Sequence, residues 1–194
     1  MNALANEQVG GYLNEHFVSS FLKVGTFTIA NGNKQGGNVA TYFCLPDGSV
    51  LQAIAGPVDA ATMLREARWV VETRKLAIFD SQGSPSRYKE FFRQAHAERL
   101  RQYGADPWRT GRGATVNVAR KPPTETFPDG SDPVSLARVQ TMMSNQVHAR
   151  NLDNPGKVHL LLANYPLVKV ERVYKYVFER VLGEKVSTLP VAQN

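Results

Sequence analysis

Val9, Leu13 and Phe17 recur at four-residue spacing behind Asn6, a stripe that predicts an amphipathic helix opened by an asparagine cap. Gly10 and Gly11 weaken it, since glycine in a helix interior costs about 1 kcal/mol. The stretch FVSSFLKVGTFTI that follows is rich in β-branched and aromatic residues and predicts a strand. ANGNKQGGN, crowded with turn formers, predicts a loop. Then two apolar runs, VATYFCL and SVLQAIAG, flank the turn PDG. That arrangement predicts a β-hairpin, and the near-continuous apolarity of both runs predicts strands covered on both faces.

Gly56-Pro57 ends the second run, and Asp59 is placed to cap a helix. Within AATMLREARWVVETRKL, Met63, Leu64, Ala67, Val70 and Val71 form the stripe of a helix packed on a sheet. DSQGSPS reads as a linker, with Pro85 in the first turn of a helix through RYKEFFRQAHAERLRQYG that Phe91 and Phe92 anchor to the core. Residues 104–133 hold five prolines and little periodicity, and predict a long loop with one short strand at ATVNVA. Asp132 is placed to cap a helix through VSLARVQTMMSNQVHAR. After Pro166, the spacing of Leu167, Val170, Tyr174, Val177 and Val181 predicts a final helix packed on the domain.

Composition narrows the class. With 194 residues, 42% of them hydrophobic, the chain can bury a core. No apolar stretch reaches the roughly 18–20 residues that would span a bilayer, so no membrane partner is expected. MNALANEQVGGYLNEHF lacks the basic and apolar blocks of a signal peptide, and cytoplasm is the default location. The net charge of +6 is unevenly spread. Residues 1–80 carry 6 Lys/Arg against 7 Asp/Glu, and residues 81–194 carry 17 against 10. This asymmetry suggests a division into 1–80 and a basic, mainly helical region 81–194.

A single cysteine, Cys44, excludes an internal disulfide and a cysteine-rich zinc site. His16, His96, His148 and His159 are scattered, with no pair at i, i+4, so no metal site is expected. The carboxylates in LREAR and VERVYKYVFER sit beside basic residues and read as solvated faces with i, i+4 pairing. No catalytic set and no cofactor loop can be picked out. WRTGRG offers Arg109 and Arg112 as candidate anion ligands, with Trp108 as a stacking face; the bland reading is a basic surface loop. The mixture of Arg and aromatics in RYKEFFRQAHAERLRQY would suit nucleic acid, but the chain shows no recognised binding module, so nucleic acid is not the expected partner.

The sequence NEQVGGYLNEHFVSSFLKV, a Gly-rich loop, and then VATYFCLPDGSVLQAIAGPVDAATMLREARWVVE resembles the later part of a thioredoxin-like domain over roughly residues 1–76. The resemblance implies an α/β fold, a partial thioredoxin-like sheet with packing helices, ahead of the mainly helical C-terminal region. It places the family's Cys-x-x-Cys upstream of residue 1, so that Met1 would stand inside a longer protein. Val39 or a neighbour occupies the place of the family's cis-proline. Cys44 falls within a strand, not at a helix N-terminus where a thiolate is stabilised, and is expected to be a structural thiol. The expected role is therefore redox-inactive: a non-catalytic scaffold that binds another protein. Two alternatives stay open. One is a truncated thiol-disulfide oxidoreductase; the other is a basic adaptor for a polyanion. Loss of a central strand would expose a sheet edge, which predicts marginal stability or oligomerisation.

Overall fold

The computed structural model describes residues 3–24, 27–30, 33–36, 38–104, 152–186 and 192–193. The expected loop beyond Gly104, the strand at ATVNVA and the helix capped by Asp132 lie outside these residues. What is described is mixed α/β and mostly helical.

Helix α1 (Glu7–His16) starts where the sequence predicts, because the Asn6 side chain accepts from the N–H groups of Gln8 and Val9 at 3.0 and 3.2 Å. The next eight residues differ from expectation. Residues 17–24 form no strand. The strand begins only at β1 (Phe27–Ala30), which pairs antiparallel with β2 (Asn33–Gly36), inside the expected loop, and parallel with β5 (Ala192–Gln193). Pairing with β1 overrides the turn propensity of the Asn- and Gly-rich stretch.

The predicted hairpin is present as β3 (Ala40–Cys44) and β4 (Val50–Ala55), a separate two-stranded sheet. The first half thus contributes to two sheets where one partial layer was expected. At the turn, Gly48 donates to the Leu45 carbonyl at 2.9 Å and takes φ +81°, a conformation that favours glycine. The Asp47 carboxylate accepts from the Ser49 N–H at 2.9 Å and from Lys169 Nζ at 2.6 Å. The lysine's hydrogen bond leads in holding that carboxyl down at about 2.

The hairpin register slips once. Phe43 faces Gln52 and Cys44 faces Val50, so Leu51 is an extra residue with no partner across the ladder. Such a bulge kinks the strand and re-aims its groups. Here it brings Leu51 and the neighbouring Gln52 to the same side of the hairpin, beside the helices that cover it.

Helix α2 (Ala60–Ser81) is capped by Asp59, which accepts from the Thr62 N–H at 2.7 Å. It runs through the first residues of the expected linker and ends where Gln82 and Gly83 turn left-handed, at φ 47° and 82°. Helix α3 (Pro85–Gly104) follows at once with its proline at the first position. Helix α4 (Asn154–Asn164), which the sequence reading did not anticipate, is capped by Asp153, accepting from the Gly156 N–H at 2.9 Å. Leu167 then adopts φ 60°, and the chain turns so that the Val168 carbonyl accepts from the Val50 N–H at 2.8 Å. Helix α5 (Val170–Tyr176) continues into a π-helical turn, Val177–Val181.

Two apolar layers sandwich the hairpin. On one side Val50, Ala53 and Ala55 pack with Val158, Leu161 and Leu162 of α4 and with Val173, Val177 and Val181. On the other, Phe43, Leu51 and Ile54 pack with Val9, with Met63, Ala67 and Val70 of α2, and with Phe92 of α3. Helices α3, α4 and α5, all from residues 81–194, therefore fold back onto the hairpin. All six residues of β4 are buried, as its near-continuous apolar run predicts, whereas β3, expected to be covered on both faces too, fully buries Phe43 alone.

Candidate functional site

Helix α3 buries Phe92, Arg93, His96, Ala97 and Leu100, so His96 sits in the middle of an apolar stripe. Helix α4 buries almost its whole length, with His159 inside it. Where the two helices meet beside the β4 bulge, the imidazoles lie Nδ1 to Nδ1 at 2.9 Å. Each ring is 1% exposed. The partners around them assign every proton. His96 Nε2 lies 3.0 Å from the Leu51 carbonyl, which can only accept, so Nε2 carries the hydrogen and Nδ1 keeps its lone pair. His159 must then donate from its Nδ1, leaving its Nε2 as an acceptor. That nitrogen faces the Gln52 amide nitrogen at 3.4 Å.

The chain of polar groups continues outward. Gln52 Nε2 also donates to Glu66 Oε2 at 2.9 Å, and its Oε1 accepts from the Ala53 N–H at 3.1 Å, which fixes the orientation of the amide. Arg99 donates to the same Glu66 oxygen at 2.5 Å, and Arg65 approaches the other carboxylate oxygen at 3.5 Å. The Arg99 guanidinium lies 4.3 Å above the Trp69 ring, a cation–π contact. Trp69 in turn packs against both histidines, at 5.2 and 6.0 Å between centroids. Four elements, β4, α2, α3 and α4, thus meet at one polar seam within an otherwise apolar interior.

Electrostatics matches this proton assignment. Burial pushes His96 down to about 3, with Arg99 acting in the same direction against the Leu51 hydrogen bond. Burial, then His96 and Arg99, holds His159 well below the ordinary imidazole range. Both rings are neutral at physiological pH, as the hydrogen-bond pattern requires. A buried, satisfied network of this kind fixes orientation, because apolar contacts alone would let helices slide.

The residues singled out from the sequence stand elsewhere. Cys44 lies half-buried at the end of β3, packed against the α4–α5 side of the hairpin. Burial first, then the nearby Glu171 and Asp47 carboxylates, pushes its thiol up to about 11. Arg109 and Arg112 lie outside the described residues. Among the described residues no group of three or more His, Cys, Asp or Glu could hold a metal ion. No described helix is long and apolar enough to cross a membrane. The reading of LREAR as a solvated face needs correcting: the Glu66 side chain is 7% exposed and pairs with Arg99, which comes from another helix.

The sequence reading missed the seam because its pair is long-range. His96 and His159 are 63 positions apart, and no local spacing joins them. A usable signal was present all the same, in a histidine within the apolar stripe of one predicted helix and another within VHLLLAN. No family model, no curated protein and no solved structure matches the chain.

Proposed function

We propose that the chain is a protein-binding module on a thioredoxin-like frame, with no thiol chemistry carried by its own cysteine. The observation that supports binding most is the segment after α1. Phe17 anchors it against Phe43, 5.2 Å between ring centroids. Beyond that anchor Val18, Phe21 and Leu22 are 101%, 97% and 78% exposed. Single exposed apolar residues are ordinary, whereas three within five positions form the kind of patch that a partner covers. Val18, Phe21 and Leu22 suit insertion into an apolar cleft on another protein.

The thioredoxin-like frame rests on the sequence resemblance over residues 1–76, in the order of NEQVGGYLNEHF, the PDG hairpin and AATMLREARWVVE. The raised Cys44 thiol supports the redox-inactive part of the reading, since the thiolate is the nucleophile and is scarce here at neutral pH.

A photoreactive phenylalanine analogue at position 21, compared with one at exposed position 15, tests the binding claim in the organism's own extract. The reading expects one protein captured from position 21 and not from 15, with capture lost when Val18→Ser and Leu22→Ser are added. Equal capture from both positions, or capture that survives those changes, would sink it. Cys44→Ala should leave capture unchanged.

A further inference from the structure

The polar seam does more than orient helices. From the geometry we infer that the His96–His159 pair is an acid-sensitive latch holding α4 against α3 and β4. Each ring nitrogen is already committed. A proton added to His159 Nε2 would point at the donating amide of Gln52, and Gln52 cannot reverse without losing both Glu66 and the Ala53 N–H. A proton added to His96 Nδ1 would point at the Nδ1–H of His159. Either addition sets two donors face to face, so the closed arrangement has no place for an extra proton. Opening the α3–α4 contact gives both rings water and lets both be charged.

The charged groups around the pair do not relieve this. From α3, Arg99 faces the rings, and Arg93 holds the far end of α4 by donating to the Ala163 carbonyl at 3.2 Å. From α2 comes Glu66, whose carboxylate is already shared among Gln52, Arg65 and Arg99. From β4 come the Leu51 carbonyl and the Gln52 amide. Arg99 opposes a further positive charge, and the Glu66 carboxylate is committed elsewhere.

The sign follows from proton linkage. Both histidines are depressed in the closed state, so below their ordinary value of about 6.5 the open state binds protons that the closed state refuses. Closure weakens as pH falls from that value toward the closed-state value of about 3 for His96. The upper part of this window lies above the ordinary carboxylate range, which separates the effect from general acid denaturation.

Hydrogen exchange of the full chain at pH 7, 6 and 5, corrected for the intrinsic pH dependence of exchange, reads this directly. The opening constant of α4 amides should rise between pH 6 and 5 by about 10- to 100-fold, one factor of ten for each histidine protonated on opening. Amides of α1 and of the first turns of α2 should not follow. His159→Asn, whose side-chain amide takes the place of Nδ1 and can still donate to His96, should limit the rise to about tenfold. An α4 opening constant unchanged from pH 6 to 5 would overturn the latch. So would an equal rise in α1 and α2, which would make the pair a term in global stability only. The wild-type comparison stands by itself if the variant does not fold.

Discussion

The two sides of the β3–β4 hairpin are held by different physics. The α4–α5 side is built mainly of Val, Leu and Ala, with Tyr176 among them. The α2–α3 side begins the same way but ends, beside the Leu51 bulge, in a hydrogen-bonded seam of Gln52, Glu66, His96 and Arg99 that reaches across to His159 of α4. Apolar burial is strong, non-directional and indifferent to pH. The seam contributes little net energy when satisfied, yet it dictates orientation and makes that contact depend on protons. One strand therefore carries a face that sets stability and an edge that sets register.

The largest expected effect comes from breaking the apolar wall. Leu162→Ala should cost about 2–5 kcal/mol in denaturant unfolding. Because no titrating group is touched, the loss should be the same at pH 7 and pH 5. Breaking the seam should behave otherwise. His159→Leu leaves the His96 Nδ1 lone pair buried without a donor and should cost about 1–3 kcal/mol at pH 7. The variant also removes one histidine that resists protonation, so its penalty should shrink by about 1–2 kcal/mol between pH 7 and 5. A penalty that stays constant with pH would erase the distinction between the two sides.

The readable parts of the fold are those fixed by neighbours in sequence. Asn6, Asp59 and Pro85 open their helices as expected, and the PDG turn closes its hairpin, because caps and turns act within a few residues. Segment 17–24 misleads because β-branched and aromatic residues favour a strand only where another strand receives them. Helix α4 was overlooked although Asp153 and Pro155 form a start signal, since the apolar run VHLLLAN is too continuous to show a helical period. The seam lay beyond local reading altogether. It depends on a bulge that frees Leu51 and on a contact between two helices far apart in the chain.

Smaller effects sharpen the same contrast between local and long-range terms. Asn6→Ala removes a cap far from either side of the hairpin and should cost about 1 kcal/mol, measured by thermal unfolding at neutral pH. The smallest expected effect belongs to the Asp47–Lys169 contact that ties the turn to the segment before α5. Its carboxyl is depressed in the folded chain, so its stabilisation is present above the ordinary value of 3.8 and fades as pH falls toward about 2. Lys169→Met should reduce that acid-limb contribution to the part held by the Ser49 hydrogen bonds and leave the region between pH 5 and 7 unchanged. That separates it from the histidine seam, whose effect lies in the higher window.

The account turns on a neutral, tautomer-locked histidine pair bridging α3 and α4. Long-range nitrogen–proton correlation spectra of the imidazoles at pH 7 test it most directly, with His96→Gln and His159→Gln serving for assignment. The expected result is an Nε2–H tautomer at His96 and an Nδ1–H tautomer at His159, both persisting down to pH 6. Two Nε2–H rings, or a charged ring at either position at pH 7, would contradict it.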